Sequence, residues 1–302
     1  MKYIYIIVLF FVSTYAGFAQ QDAQYTQYMY NTVGINPAYA GNRGALSIVA
    51  LHRSQWIGLE GAPTTQSISV NTPLGESNVG LGVSFINDKV GPSTEQYLNI
   101  DLSYTIKTSD VGKLSFGIKG VANFLNLDIN KLSPETASDI NLNGYSKFQP
   151  NFGIGAYYHT DKFYVGLSTP NVLETKHFDD GSSSVGKERN TYYLISGYVF
   201  DLSESVKLKP AFLVKQVKGS PLQVDLSANA MLNNKFILGA AYRWDAAVSF
   251  MAGFQINESL MLGYAYDIDT NGLGSYNNGS HEIMLRYELF NFKENLISPR
   301  FF

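Results

Sequence analysis

The 302-residue chain carries 22 Lys and Arg residues against 25 Asp and Glu residues, and charged residues make up only 16% of it. Soluble domains usually carry about 25% charged residues. The chain is also 14% aromatic and contains no cysteine. It is therefore too apolar for a disordered chain, lacks the basic excess of a nucleic-acid-binding protein, and has no cysteine for a disulfide or cysteine-zinc scaffold.

The first twenty residues have the organisation of a secretory signal peptide. Lys2 precedes an uncharged run from Ile4 to Val12, and Gly17 and Ala19 provide the small residues of a cleavage site. This apolar run is only about half the length of a membrane-spanning helix, and no later stretch has the roughly 18 apolar residues that such a helix needs. We expect residues 1–19 to be removed, which leaves an exported soluble protein or an outer-membrane β-barrel.

From residue 45 onward, apolar and polar residues alternate, which is the pattern of strands with one apolar face. The predicted strands are about ten residues long, as in a membrane barrel, whereas strands of soluble sheets average about five or six. Aromatic residues near strand ends, among them Phe85, Tyr97 and Phe124, fit the girdles at the membrane interfaces. Fourteen strands are predicted, near residues 45–53, 64–72, 79–87, 96–107, 113–125, 148–159, 162–169, 190–201, 205–217, 221–232, 235–243, 247–256, 259–268 and 281–290.

The connections between these strands alternate in length. If the exported amino end starts in the periplasm, the inward-facing connections are 73–78, 108–112, 160–161, 202–204, 233–234 and 257–258, all of them short. The long connections all face outward, and they are 54–63, 88–95, 126–147, 170–189 and 269–280. Bacterial barrels have short periplasmic turns and long outer loops, so we predict an all-β, antiparallel transmembrane barrel over residues 45–290.

The polar face of the strands predicts which charges point into the barrel lumen. The positive set is Lys119, Lys207, Lys209, Lys215, Arg243 and Arg286, and the negative set is Asp101, Asp225, Asp267, Glu282 and Glu288. A selective pore usually carries one sign of charge at its constriction, whereas these two sets nearly balance. We therefore predict a cross-linked, partly filled lumen. A solvated sheet face would give the same pattern, but the uniformly apolar opposite faces favour the lumen.

Two segments flank the predicted barrel. Residues 20–44 are rich in Gln and Tyr and almost uncharged, and they carry too many aromatic residues for a loose tail. We expect them to pack inside or under the barrel. Residues 291–302 form a C-terminal tail.

Patterns for catalysis or metal binding are weak. His52, His159, His177 and His281 show no metal-ligand spacing, and no serine lies in a nucleophile elbow. The run Asp267 to Gly272 matches the start of a calcium loop, but Asn278 stands where the bidentate Glu should be. We expect an Asx turn there instead, and we expect no enzyme activity, cofactor or metal.

Two motifs and the C-terminal tail resemble the PorP/SprF family. The first motif runs from Gln21 to Asn31, with Ala23 where many members have proline, and continues through Asn36, Pro37, Tyr39 and Gly41. The second contains Arg53, Gln55, Trp56, Gly61, Pro63 and Thr65, and the similar tail is Ser298 to Phe302. The resemblance covers the whole mature chain, and the first motif is long and specific.

This resemblance implies an outer-membrane β-barrel of Bacteroidetes-type bacteria that serves type IX secretion and gliding motility. It implies a non-enzymatic protein that binds the type B C-terminal domain of a secreted adhesin and anchors it at the cell surface. The implied partners are that domain, other components of the secretion system and outer-membrane lipid, with no nucleic acid. Another branch of the family is tied to the periplasmic ring of the machine, and the sequence does not separate the two branches.

Two other function classes stay open on the same fold. A small-solute channel or transporter would be favoured by a lumen of one charge sign, and the balanced charges argue against it. An outer-membrane enzyme such as a lipid hydrolase would need a Ser, a His and an acid at one membrane edge, and no motif indicates such a set.

The signal peptide makes a direct prediction about processing. Because Gly17 and Ala19 form the small-residue site, the mature protein should begin at Gln20 or Gln21. The intact mass and N-terminal sequence of protein extracted from membranes measure this. A protein that retains Met1 would contradict both export and the barrel.

Overall fold

A computed structural model describes residues 24–75, 77–128, 145–176, 187–188 and 190–289. In this part of the chain, each barrel strand pairs antiparallel with the strand before it and the strand after it. The first strand then pairs with the last, with Val49 opposite Arg286, and this pairing closes the sheet. The predicted signal peptide and C-terminal tail lie outside the described residues.

Fourteen strands form the closed barrel in the described residues, which confirms the predicted fold, and their ends fall within three residues of the prediction. They are β1 (Leu46–Ser54), β2 (Thr64–Pro73), β3 (Val79–Val90), β4 (Ser93–Lys107), β5 (Lys113–Leu127), β6 (Tyr145–His159), β7 (Phe163–Thr169), β10 (Thr191–Tyr198), β12 (Val206–Val217), β13 (Gln223–Leu232), β14 (Phe236–Arg243), β15 (Ala247–Gln255), β16 (Leu260–Asp269) and β17 (Ser280–Leu289). The short β11 (Phe200–Asp201) continues β10, and β8 (Thr175–Lys176) pairs with β9 (Lys187–Glu188) outside the barrel.

In the described residues, short 3-10 helices supply the remaining regular structure. Three of them, Tyr28–Tyr30, Thr32–Gly34 and Pro37–Tyr39, precede β1, and a fourth covers Gly272–Ser275. Within the described ranges, no helix combines the length and the apolar character that a membrane crossing requires.

The prediction of a long connection over 88–95 is wrong. Strands β3 and β4 continue through it, with Lys89 opposite Thr94, and only residues 91–92 form the turn. Gly91 makes this turn possible because it adopts a φ of +55°. Polar residues replace the apolar alternation here because the strands have already left the lipid. At about 3.3 Å per residue, the 15-residue strands β4, β5 and β6 extend well beyond an apolar band about 25 Å high.

Burial alternates along each strand and separates a lipid face from a lumen face. In β17, the side chains of Ile283 and Leu285 are exposed, whereas those of Arg286 and Glu288 are buried. The lumen face is less polar than the sequence pattern indicates, because Tyr157, Tyr164, Tyr193, Ile195, Leu213, Met231, Met251, Met261 and Met284 also belong to the buried core. Tyr97, predicted in a girdle, points inward instead and donates a hydrogen bond to Glu95.

Residues 24–45, which we call the plug, occupy the lumen. Tyr28, Met29, Val33 and Ala38 of the plug are all at least 95% buried and pack in one core with the inward side chains of the strands. The core of the molecule therefore lies inside the barrel.

The two faces of β17 predict different effects of two neighbouring substitutions. Leu285→Arg should strongly reduce assembly, because a charge facing the middle of the lipid costs about 2–4 kcal/mol. Arg286→Leu should do less, since Glu288 keeps Arg43 as a partner 2.6 Å away. The folded fraction can be measured from heat-modifiable gel mobility. Equal defects in the two variants would mean that the assignment of lipid and lumen faces is wrong.

Candidate functional site

The plug runs through the lumen from one end of the barrel to the other. Gln24 lies at the end that carries the long connections, in a cavity that also contains Trp56 and Trp244. Gly41 lies at the end with the short turns, where Gly80 and Pro73 surround it. We call the first end the outer mouth and the second the periplasmic end, because short turns mark the periplasmic side of bacterial barrels.

A buried carboxylate holds the upper part of the plug. The backbone N–H groups of Thr26 and Gln27 donate to the side chain of Glu282 over 2.9 and 2.8 Å. The guanidinium of Arg53 bridges Glu282 and Asp267 at 3.2 and 2.7 Å. Each hydrogen bond to a charged group contributes about 1.5–3 kcal/mol. This network therefore ties the plug to β1, β16 and β17 at once.

A second ion pair holds the lower part. Arg43 lies 2.6 Å from Glu288, which is also 3.6 Å from Arg286. Because both side chains are buried, each charge offsets the other's cost of leaving water. The Nζ atom of Lys209 and the Cζ atom of Arg286 lie 5.1 and 5.7 Å from the centroid of the Tyr30 ring. Such cation–π contacts partly offset the cost of burying these two side chains.

Glycines in the strands make room for the plug. A methyl group added at Gly117 would overlap the backbone of Ala38, and one added at Gly80 would overlap the carbonyl of Ala40. Gly155 and Gly263 stand in the same relation to Asn36 and Gln27, respectively. A glycine inside a strand generally marks a bend or a place where another part of the protein approaches closely. The structure supplies the reason, because the backbone or a side chain of the plug fills each position.

The first family motif lies in the plug. Asn36 donates from Nδ2 to the carbonyl of Ala156 over 3.1 Å and accepts the N–H of Ala38 on Oδ1 over 3.0 Å. Pro37 begins the 3-10 helix that follows, and Tyr39 packs edge-on against Tyr157 with ring centroids 5.3 Å apart. Gly41 ends the motif at a φ of +70°. These residues fix the lower plug against β5, β6 and β7.

The second family motif builds the rim of the outer mouth. Gln55 donates its backbone N–H to the carbonyl of Pro63 over 3.0 Å, which closes the loop between β1 and β2. Gly61 has a φ of +73°, and its carbonyl accepts the N–H of Gly91 over 2.8 Å. Thr65 donates its hydroxyl to Asp88 over 2.6 Å. Arg53 and Trp56 of the same motif line the cavity inside this rim.

The predicted lumen charges fall into separate groups rather than one site. Lys119 lies 3.3 Å from Asp101, and Arg243 lies 3.1 Å from Asp225. Glu282 belongs to the upper network, and Arg286 and Glu288 belong to the lower one. Lys209 and Lys215 are fully buried beside tyrosine rings, whereas Lys207 is less buried near the periplasmic end. Sequence reasoning missed Arg43, because it precedes the alternating pattern that identified the others.

The outer mouth contains a cavity of about 950 Å³ above the plug. Trp56, Trp244 and Leu222 contribute apolar surface to it, and Arg53 and Asp267 lie in its lining. Trp56 has a φ of +48°, which is rare for a bulky residue. Its backbone N–H donates to the hydroxyl of Ser280 over 3.1 Å, so a neighbouring strand holds it in this conformation.

The residues that resemble the start of a calcium loop make other interactions in the structure. Asp267 is buried against Arg53, and the side chain of Asn271 accepts the N–H of Leu273 over 3.0 Å, as in an Asx turn. Among the described residues, no group of three His, Asp or Glu side chains is arranged to hold a metal ion.

The glycine contacts predict how tightly the barrel is fitted to the plug. Gly117→Ala should destabilise the protein by about 1–3 kcal/mol and loosen the plug, because the methyl group has no space. Gly120→Ala, on the same strand with no atom within 4 Å, should change stability by less than about 0.5 kcal/mol. The temperature of the heat-modifiable gel transition and single-channel conductance measure the two effects. If both variants behave alike, close packing against the plug is not what stabilises it.

Comparisons with known proteins agree with this architecture. The sequence profile of the family described as "Type IX secretion system membrane protein PorP/SprF" matches residues 17–287. No curated protein matches the chain. Among solved structures, the "CymD monoaromatic hydrocarbon channel" is similar, with a TM-score of 0.51 at 14% identity, and the alignment covers 87% of this chain and 93% of that one.

The Ralstonia pickettii toluene transporter TbuX is similar as well, with a TM-score of 0.50 at 11% identity over 85% of this chain and 92% of that one. At such identities the likeness shows the fold alone. The family profile, in contrast, covers most of the chain and includes both motifs. This chain belongs to the PorP/SprF family of type IX secretion system membrane proteins and is a β-barrel of the bacterial outer membrane.

Proposed function

We propose that this protein is a non-enzymatic receptor that binds the C-terminal domain of a secreted adhesin at the outer mouth and anchors it at the cell surface. Its family supports a role beside other components of the type IX secretion system. The observation that carries the proposal is the filled lumen. A barrel whose interior is occupied by a plug below the outer mouth has its free surfaces at its two ends.

The filling of the lumen is extensive. Polar networks hold the plug at Glu282 and at Glu288, and glycines of four different strands accommodate it between them. A solute would have to break these contacts in order to pass. Binding at the mouth requires no such rearrangement, and loops on a rigid scaffold are where binding residues concentrate.

The shape of the outer end supports docking of a protein. Strands β3 to β6 stand above the membrane on one side of the mouth, and the loop 55–63 lies against residues 278–280. The connections 126–147 and 170–189 leave the barrel at the same end. Most of their residues, 129–144, 177–186 and 189, lie outside the described part of the chain. The proposal assigns both connections, together with Trp56 and Trp244, to the docking surface.

A small-solute channel is the alternative function, and one observation favours it. Two solved barrels with a similar fold are described as a monoaromatic hydrocarbon channel and a toluene transporter. Solute transport would need the plug to move aside. Conductance in planar bilayers distinguishes the two functions, since a receptor with a seated plug conducts little and a channel opens.

Shortening both long connections should abolish adhesin display. We would delete residues 131–142 and 178–186, which lie beyond the strand ends, and leave the barrel intact. Surface adhesin can be measured by protease accessibility in whole cells, and barrel assembly by heat-modifiable mobility. We expect at least a tenfold loss of surface adhesin at normal barrel levels, because an interface that loses its central contacts loses several kcal/mol.

A matched control changes the opposite end of the barrel. A Gly-Ser pair inserted between Asn233 and Asn234 lengthens a periplasmic turn whose two residues already have positive φ angles. This variant should display adhesin normally. If the shortened variant also displays and retains adhesin normally, docking on the outer loops is wrong. The contact with the secretion machine would then be sought at the periplasmic turns and the plug.

A further inference from the structure

The cavity at the outer mouth has an uneven charge. Its lining contains five carboxylates, from Asp88, Glu95, Asp245, Asp267 and Asp269, against two guanidiniums, from Arg53 and Arg243, and no lysine among the described residues. Both arginines already hold ion pairs, Arg53 with Asp267 and Arg243 with Asp225. The cavity is therefore negative, and its positive charges are bound at its floor.

Two of these carboxylates lie where a ligand could reach them. Asp269 lines the cavity and is partly exposed. Asp245 is exposed in the turn between β14 and β15, where it has a φ of +54°. A cationic group that enters the cavity would therefore meet accessible carboxylates, and hydrogen bonds between charged groups are stronger than those between neutral ones.

Aromatic side chains line the same space. Trp244 is 67% exposed beside Asp245, and Trp56 lies on the rim, where its backbone N–H donates to the hydroxyl of Ser280. Tryptophan is the best aromatic partner for a cation, and guanidinium groups stack on its face. The volume of about 950 Å³ matches pockets that take a ligand the size of a few side chains.

From these features we infer that the outer mouth is a pocket for an arginine-bearing extended segment of the secreted partner, with the guanidinium between the tryptophans and the carboxylates. Arginine fits better than lysine because its planar fork can pair with a carboxylate while its face stacks on an indole. An anionic or neutral segment would not neutralise the carboxylates of the cavity wall. This inference rests on the proposed docking of a secreted protein and adds the chemistry that the docking recognises.

The two tryptophans provide the measurement. The chain contains only two, and both line the cavity, so tryptophan emission reports on this pocket alone. We would titrate the detergent-purified full mature protein with the capped peptide acetyl-Ala-Arg-Leu-Ala-amide, and with matched peptides that carry Gln or Glu instead of Arg. We expect a saturable change in emission with the Arg peptide and at least about threefold weaker binding of the Gln peptide. Added salt should weaken the binding of the Arg peptide, because it screens the attraction between charges.

Variants test the carboxylates. The double variant with Asp245→Asn and Asp269→Asn should bind the Arg peptide about threefold or more weakly. Its binding of the Gln peptide should not change. Asp201→Asn, which removes a carboxylate paired with Lys162 at the periplasmic end, is the matched control and should have no effect. If the double variant does not assemble, Asp245→Asn alone serves, because it is exposed and Asn tolerates a positive φ.

Three results would overturn the inference. They are equal binding of the Arg and Gln peptides, unchanged binding to an assembled carboxylate variant, and no tryptophan response to the Arg peptide at about 10 mM, where even weak binding is visible. None of these results bears on adhesin display by the loop-shortened variant. Failure of the pocket chemistry and failure of the receptor function are therefore told apart.

Discussion

A backbone in lipid finds no water to bond with, so every N–H and C=O group of a spanning strand needs a partner within the protein. In this chain the pairing of β1 with β17 meets that requirement by closing the sheet. Closure creates a second requirement. Eight strands give a barrel that its own side chains can fill, whereas fourteen enclose more space than they can occupy. The plug and the tyrosines and methionines around it fill the remainder, so the strand number dictates the need for an interior segment.

The same constraint explains the composition of the inner wall. Charges far from water are tolerated when they are paired, and the plug supplies pairs that the strands lack, such as Arg43 for Glu288 and the N–H groups of Thr26 and Gln27 for Glu282. Where no side chain fits between wall and plug, glycine appears, as at Gly117. Arginine, carboxylate and glycine positions along the strands thus trace the path of the plug.

Much of the barrel could be predicted from the sequence, because one lipid face imposes strict alternation on every strand. The lumen charges followed from the same alternation. The course of the plug and its contacts could not be predicted, since they join residues far apart in the chain, such as Thr26 and Glu282. The sequence nonetheless contains a pattern that indicates contact between the wall and the plug. Where apolar residues occupy both faces, as from Tyr192 to Ile195, the inner face contacts another apolar segment, here the aromatic plug. The prediction of a long connection over 88–95 was wrong because strand pairing continues above the lipid. There the strands no longer need an apolar face, so the sequence pattern does not show them.

The position of the plug also restricts the order of events in biogenesis. Residues 24–45 enter the sequence before any strand, yet they make their contacts with β16 and β17, which are synthesised last. These contacts can form only after the last two strands have been made. The segment that precedes every strand in the sequence is therefore among the last to reach its final packing, and until then its tyrosines and the buried charges of β16 and β17 lack the partners that they have in the finished barrel.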